Sequence, residues 1–327
     1  MITITIGEIA KIANVSVATV SRVINKSGKV SPQAKEKIEQ IVKEYGYHPN
    51  VLGRNLRTKE TKMIMVMITS IANSFYSKVV DAIDKIAREN GYNIMICVTN
   101  DNPKTESNYL DLIRNGFCDG AIIMNTTLNQ EEMHDFISMY NVVQCNEYID
   151  ENSPYVAIDN KKAAYDAVTY LIKTGRKRIA YCGVVNHFRS SHLRWEGYVQ
   201  ALTDNGIEVD RSIVIDGNYG FRSATELTRT ILKKGVEFDA LFAISDRMAA
   251  GAMNALKEAG KKIPEDVAVM GFDNVHLSYM VTPAMSTVGQ PQKKLGEEAF
   301  NMLMKKINNN PCEKIILPHE IVVRKST

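Results

Sequence analysis

Arg22 ends the spacing Val17-Ala18-x-x-Ser21-Arg22, which on a helix puts a planar guanidinium beside two small apolar side chains on one outer face. A guanidinium so placed can bond O6 and N7 of guanine together, and the methyl groups of Val17 and Ala18 suit the thymine methyl. Thr5, Thr19, Ser21 and Asn25 carry short polar side chains suited to phosphate oxygens, contacts that orient a protein on a duplex without reading its sequence. A single exposed arginine is usually only solvated, so the constellation carries the reading. Charge distribution supports it: residues 1 to 62 hold eleven Lys or Arg against five Asp or Glu, a balance of +6, while the other 265 residues balance at −3. A basic segment on a mildly acidic body is the electrostatic footprint of nucleic-acid binding, although a solvated basic face would look similar by itself.

These residues need a rigid platform, and the local signals provide one. Thr5-Ile6-Gly7-Glu8 has the form of a capping box, after which Ile6, Ile9, Ala10 and Ala13 give a first helix its apolar stripe. Asn14-Val15 is a turn, Ser16 caps a second helix over Val17 to Asn25, and Val20, Val23 and Ile24 face inward. Ser31-Pro32 opens a third helix that runs to Tyr45 and stops at Gly46. Three short helices with a tight first turn make a helix-turn-helix unit, whose second helix enters the major groove.

Other chemistries find little support. No Gly-x-Gly-x-x-Gly, Walker-type Gly-x-x-x-x-Gly-Lys-Ser/Thr, Gly-x-Ser-x-Gly or His-Glu-x-x-His motif is present, so the chain is not expected to be an enzyme. Five scattered cysteines without metal spacing read as reduced, buried side chains, and no cofactor or metal is expected. No apolar stretch approaches a membrane span and Met1 to Gly7 lacks a signal-peptide pattern, so the expected location is cytoplasmic, with no membrane partner.

The run Ile6-Gly-Glu-Ile-Ala-Lys-Ile-Ala-Asn-Val-Ser-Val-Ala-Thr-Val-Ser-Arg-Val-Ile-Asn-Lys26 resembles the headpiece signature of the lactose and galactose repressor family almost residue for residue. The resemblance implies a headpiece over 1–48 and a hinge over 49–61 that orders when a dimer docks on DNA. There Leu56 matches a leucine that wedges into the minor groove, flanked by Asn55 and Arg57. It also implies an effector-binding core over 62–327, resembling periplasmic sugar-binding proteins.

The residues agree with such a core. From Lys62 onward, strands (63–68, read as buried, then 92–98, 120–124, 142–145) alternate with amphipathic helices (75–89, 105–115, 131–140). A second series follows Asp159, with helices near 161–173, 191–204, 223–233 and 246–259 and strands near 178–183, 213–216, 240–244 and 267–271. The expected fold class is α/β, a three-helix headpiece followed by two lobes with doubly wound parallel sheets and a cleft at the strands' carboxyl ends. The first lobe takes 62–159 and about 291–318, the second 160–290 and about 319–327, with crossings near Asp159, Gln290 and Pro318.

Family-like residues fall on the strand-end loops. In the first lobe these are Phe75, Tyr76, Met124, Thr126, Asn146, Glu147 and, at the crossover, Asp159; in the second they are Arg194, Tyr219, Asp246, Asp273 and Gln290. Carboxylates for paired hydroxyls, a forked donor for ring oxygens and aromatic faces for C–H surfaces suit a polyhydroxylated ligand. An aspartate after a strand is as often a helix cap, so Asp159 and Asp246 carry both readings. Asn146-Glu147-Tyr148, Gly53-Arg54-Asn55 and Tyr198 to Leu202 look most like the cytidine-repressor branch, which implies a nucleoside, with a pentose or hexose as the alternative. The expected protein is a homodimeric, sequence-specific regulator, in all expectation a repressor, whose grip on operator DNA follows a small effector. Control by a partner protein, or solute binding without a DNA role, are the competing readings.

Overall fold

A computed structural model describes residues 4–47, 60–184 and 188–327, and divides the chain into two compact units, Met1–Thr61 and Lys62–Thr327. In the first unit, α1 (Ile6–Ala13), α2 (Val17–Ile24) and α3 (Pro32–Glu44) enclose a small core of Ile4, Ile9, Ala10, Ala13, Val20, Ile38 and Ile41. The capping box forms in full: Thr5 Oγ1 accepts from Glu8 N at 3.3 Å, and a Glu8 carboxylate oxygen accepts from Thr5 N at 2.7 Å. Asn14 ends α1 with φ 56°, and Ser16 caps α2 through Thr19 N at 3.1 Å. One left-handed residue, with a single residue between it and the next cap, is what makes the turn tight.

The second unit holds two six-stranded sheets. The first takes β1 (Met63–Ile68), β2 (Asn93–Val98), β3 (Gly120–Ile123), β4 (Val142–Cys145), β5 (Tyr155–Ile158) and β11 (Ile315–Leu317), in the order 11-5-4-3-1-2. The second takes β6 (Ile179–Gly183), β7 (Val214–Asp216), β8 (Ala240–Ala243), β9 (Ala268–Asp273), β10 (Ser286–Gly289) and β12 (Glu320–Val322), in the order 12-10-9-8-6-7. The helices between them are α4 (Ser74–Glu89), α5 (Pro103–Arg114), α6 (Gln130–Met139), α7 (Asn160–Lys173), α8 (Arg189–Asp204), α9 (Phe221–Lys233), α10 (Asp246–Glu258), the short α11 (Leu277–Met280) and α12 (Gln292–Ile307).

Strand pairs are parallel except β10 with β12, which run antiparallel. The doubly wound parallel sheets expected from the sequence are present, with one antiparallel pair at this edge. β11 ends at the cleft, and only Pro318 and His319 separate it from β12, so the chain enters the second sheet from its carboxyl side. A parallel pairing would need a crossover helix to carry the chain to the far end first.

The chain passes between lobes three times: from β5 to α7, from β10 to α12, and from β11 to β12. Helix α7 packs on α8 at close range because Gly197 faces it; a Cβ there would lie 2.2 Å from the carbonyl oxygen of Lys161.

Candidate functional site

In the first unit, α2 presents Val17, Ala18, Arg22 and Asn25 to solvent, and Val17 is 49% exposed although apolar. Val20 turns inward and anchors the helix, leaving that outer face free of packing duty. The Arg22 stem lies against Gly28, where a Cβ would meet its Cδ at 3.5 Å. Asn25 Nδ2 donates to Ser21 O at 2.8 Å and to Ser21 Oγ at 3.1 Å, while Thr19 and Ser16 share a hydroxyl bond at 2.9 Å. Thr5 is also committed, its hydroxyl donating to Glu8 at 2.8 Å. The hinge residues Asn55, Leu56 and Arg57 lie outside the described residues.

In the second unit, a cavity of about 1000 Å³ lies between the two lobes at the carboxyl ends of both sheets. Phe75 and Tyr76 reach it from the start of α4, and Asn146 and Glu147 from the end of β4. The second lobe contributes Arg194 from α8, Tyr219 from the loop before α9, Asp273 from the end of β9, and Gln290 from the second crossover.

Arg194 is 5% exposed and held on three sides. Its Nε donates to Asn160 Oδ1 at 2.9 Å, its Nη1 donates to the Ile244 carbonyl at 2.5 Å, and its guanidinium lies 3.7 Å from the centre of the Phe272 ring. Nη1 stands 3.9 Å from Asp273 Oδ1, so the fork is aimed beside a carboxylate without closing on it. Asp273 Oδ1 instead accepts from Gln290 Nε2 at 2.7 Å, and Gln292 Nε2 donates to the Asp273 carbonyl. The Asp273 backbone has φ 108°, a strained setting for a residue with a side chain. Burial pushes its carboxyl up to about 6, against the opposing pull of Arg194 and Gln290. Gln290, at the second crossover between lobes, is 5% exposed, and its Oε1 is buried without a hydrogen-bond partner.

Glu147 belongs to the first lobe but accepts from Ser190 N at 3.1 Å and from the Ser190 hydroxyl, both in the first turn of α8. Phe188 precedes that helix and supplies no side-chain cap, so the carboxylate from the opposite lobe satisfies a first-turn donor. Burial raises the Glu147 carboxyl, and the two Ser190 bonds oppose the rise. Ser191 and Tyr219 share a hydroxyl bond, and the Phe188 and Tyr219 rings stand 5.8 Å apart as an aromatic corner.

Four residues expected at this site stand elsewhere. Met124 is wholly buried in the core of the first lobe, because the side chain that follows β3 continues the strand's inward face. Thr126 donates its hydroxyl to the buried Glu106 carboxylate and lines a smaller neighbouring cavity. Asp159 is exposed and caps α7 through Lys162 N at 2.9 Å. Asp246 is 0% exposed, in the first turn of α10 behind the Ser245 cap. Its oxygens accept from Thr287 Oγ1 at 2.5 Å and Val275 N at 2.8 Å, so it braces the loop after β9 and does not face the cavity. Burial, then the Asp273 charge, raise its carboxyl well above the usual range.

Sequence reasoning also missed contributors. Asn160 follows Asp159 and holds Arg194; the same signal, a polar residue closing β5, fits either position. Asp101 lies on the cavity wall and accepts from Asn125 Nδ2 at 2.9 Å, with no strand-end motif to mark it. Among the described residues no group of three or more His, Cys, Asp and Glu could hold a metal, and no helix is long and apolar enough to cross a membrane. Burial holds the Cys145 and Cys182 thiols up at about 12, which suits packing and not nucleophilic chemistry.

Comparison with known proteins agrees with this two-part plan. Residues 5–50 match the bacterial regulatory proteins of the lacI family, and residues 61–325 match the periplasmic binding proteins and sugar binding domain of the LacI family. The ribose operon repressor of Halalkalibacterium halodurans is 34% identical, covering 99% of this chain and 97% of the relative. The repressor CytR of Escherichia coli K12 and catabolite control protein A of Priestia megaterium are each 33% identical, each over 99% of this chain and over 96% and 99% of the respective relative. Relatives with such different names at nearly equal identity do not single out the cytidine branch. Among solved structures, the lac repressor dimer bound to operator and the anti-inducer ONPF aligns with a TM-score of 0.89 at 25% identity over 99% of both chains. The complex of the regulator CelR with cellobiose aligns at 0.75 with 27% identity, over 99% of this chain and 100% of that one. A headpiece model and a core model matched in tandem, with relatives aligned from end to end, place this chain in the lacI family of DNA-binding transcription regulators.

Proposed function

We propose that this regulator acts as a homodimer on operator DNA in the cytoplasm, as a repressor whose operator affinity is set by an uncharged sugar or nucleoside held between the lobes. The observation that carries the ligand class is the trio Asp273, Gln290 and Arg194. A carboxylate with one oxygen engaged and a forked cation that does not close on it, both on the wall of one cleft beside the buried Gln290 amide, ask for a ligand rich in hydroxyl or amino groups. The aromatic corner of Phe188 and Tyr219 offers surface for its C–H faces. Because Gln290 sits at a crossing between lobes and is bonded to Asp273, a ligand that engages Asp273 would favour one closure of the cleft. A ligand shifts an equilibrium only through such differential affinity.

On DNA, Arg22 reads guanine, Val17 and Ala18 meet thymine methyl groups, and Thr19, Ser21 and Asn25 contact phosphate. Thr5 contributes through its end of α1 more than through its hydroxyl, which Glu8 already holds. Asn55, Leu56 and Arg57 act at the minor groove. The protein performs no turnover and needs no cofactor. Calorimetric titration with ribose, glucose, galactose, cytidine, uridine and adenosine tests the cleft. Binding by wild type that Arg194→Ala removes supports the reading. Silence across the panel, or binding indifferent to Arg194→Ala, defeats it.

A further inference from the structure

Beside the main cleft lies a second cavity of about 300 Å³, lined mainly by the loops that follow β3 and β4 of the first lobe, with Phe188 and Arg189 from the second. The two cavities adjoin, sharing Asp101, Glu147 and Phe188 in their walls. Their chemistry differs. The main cleft brings Arg194 and Asp273 to its wall without closing one on the other. In the smaller chamber the polar groups are spent on one another.

Gln144 Nε2 donates to the Asp150 carbonyl at 3.0 Å, and its Oε1 accepts from Ile149 N at 2.8 Å. The Asn125 amide donates to Thr69 and Asp101 at 2.6 and 2.9 Å and accepts from Thr126 N at 2.9 Å. Thr127 gives both its N–H, at 2.8 Å, and its hydroxyl, at 2.5 Å, to Glu106. What remains for an occupant is the apolar surface of Leu128, Ile149, Tyr148 and Phe188, over the buried Ile123 and Met133. Walls fixed by internal hydrogen bonds do not collapse on the space they enclose, and a satisfied polar group gains nothing from a polar guest. An apolar cavity of about half this volume is known to accommodate a benzene ring.

We propose that this chamber is a second subsite for the same effector, taking a planar, weakly polar ring attached to the hydroxylated part held in the cleft. The inference rests on the cleft being the effector site. The effector is then a two-part molecule, and its source is either a nucleoside, with the base in the chamber, or an aryl glycoside, with the aglycone there. Free monosaccharides would fill only one part. Arg189 lines the chamber, its guanidinium 5.1 Å from the Tyr148 ring and paired with Glu151 across the lobes, and the walls shared with the cleft leave a route for the ring from there.

The test is calorimetry on the full-length protein with matched pairs: methyl riboside against cytidine, uridine and adenosine, and methyl against p-nitrophenyl β-glycosides of glucose, galactose and xylose. At least one ring-bearing member should bind about 30-fold more tightly than its methyl partner, the order expected for burying one ring's apolar surface. In Leu128→Trp, which fills the chamber, that preference should shrink to threefold or less while the methyl partner's affinity holds. Ile149→Trp, from a second loop, should repeat the result, and retained operator binding shows that either variant is folded. Pairs that all bind within threefold, or a preference that survives both variants, would overturn the chamber while leaving the cleft standing. Silence from both members of every pair would instead overturn the cleft reading, and the chamber with it. Cytidine-type preference assigns the ring to a base, p-nitrophenyl preference to an aglycone.

Discussion

Asp273→Asn separates what the site costs the fold from what it does for the ligand. The carboxyl is lifted from 3.8 to about 6 mainly by burial, with the attraction of Arg194 already counted against the rise. A lift of that size corresponds to roughly 3 kcal/mol of unfavourable charge in the empty cleft at neutral pH. The sign follows from proton counting: between about 4 and 6 the folded state binds the proton more tightly than the unfolded state, so this group's contribution to stability falls as pH rises through that window. The isosteric amide removes the charge and can still accept from Gln290 Nε2. The empty variant should therefore melt higher at pH 7.5, by about 5 to 10 °C, and the gain should shrink toward zero near pH 4. Effector affinity should move the other way, weakening by about 10- to 100-fold, the worth of hydrogen bonds to a charged acceptor. Differential scanning calorimetry at pH 7.5, 6 and 4, with titration of the effector at pH 7.5, reads both. A variant that melts lower at pH 7.5, or gains equally at every pH, would refute the reasoning.

Other expectations are more direct. Arg22→Ala should relax discrimination at one operator base pair by about 1–3 kcal/mol in anisotropy titrations over single-base operator variants; unchanged specificity would remove it as a base reader. Leu56→Ala should weaken specific operator binding and reduce DNA bending, seen by gel mobility of permuted fragments. Gly197→Ala drives a methyl toward the Lys161 carbonyl and should cost about 1–3 kcal/mol by urea denaturation. Because Arg194 lies one turn earlier on α8, the same change should also lower effector affinity.

Much of this architecture is legible in the residues because local and global signals coincide. Thr5, Ser16 and Ser31 each precede an amphipathic stretch and each caps its helix, and the Val17–Ile24 pattern leaves one apolar residue, Val17, with no packing role. The lobe strands β1, β3 and β4 are continuous buried runs, which fit a sheet covered on both faces, while β2 at the sheet edge is largely half-buried or exposed. The later strands are harder to see. Ser286–Gly289 carries a serine, a threonine and a glycine yet is fully buried, and Glu320–Val322 is three residues long. The site shows the same limit. Arg194 on α8 and Asp273 at the end of β9 stand out by residue type, but whether a carboxylate faces a cavity or a neighbouring loop is set by tertiary packing. Asp246 turns to Thr287 and Val275, and Asp159 to the backbone of its own helix, for reasons local spacing does not encode.

The central claim is that occupancy of the cleft sets the grip on DNA. Its most direct measurement is fluorescence anisotropy of a labelled operator with full-length protein, with and without a saturating ligand identified by calorimetry, at several salt concentrations. The account predicts salt-sensitive binding that prefers the operator over scrambled sequence, with an affinity that changes at least about fivefold on adding ligand. That change should vanish in Arg194→Ala while operator affinity without ligand holds. Identical operator affinity at every ligand concentration, for a ligand shown to occupy the cleft, would contradict it.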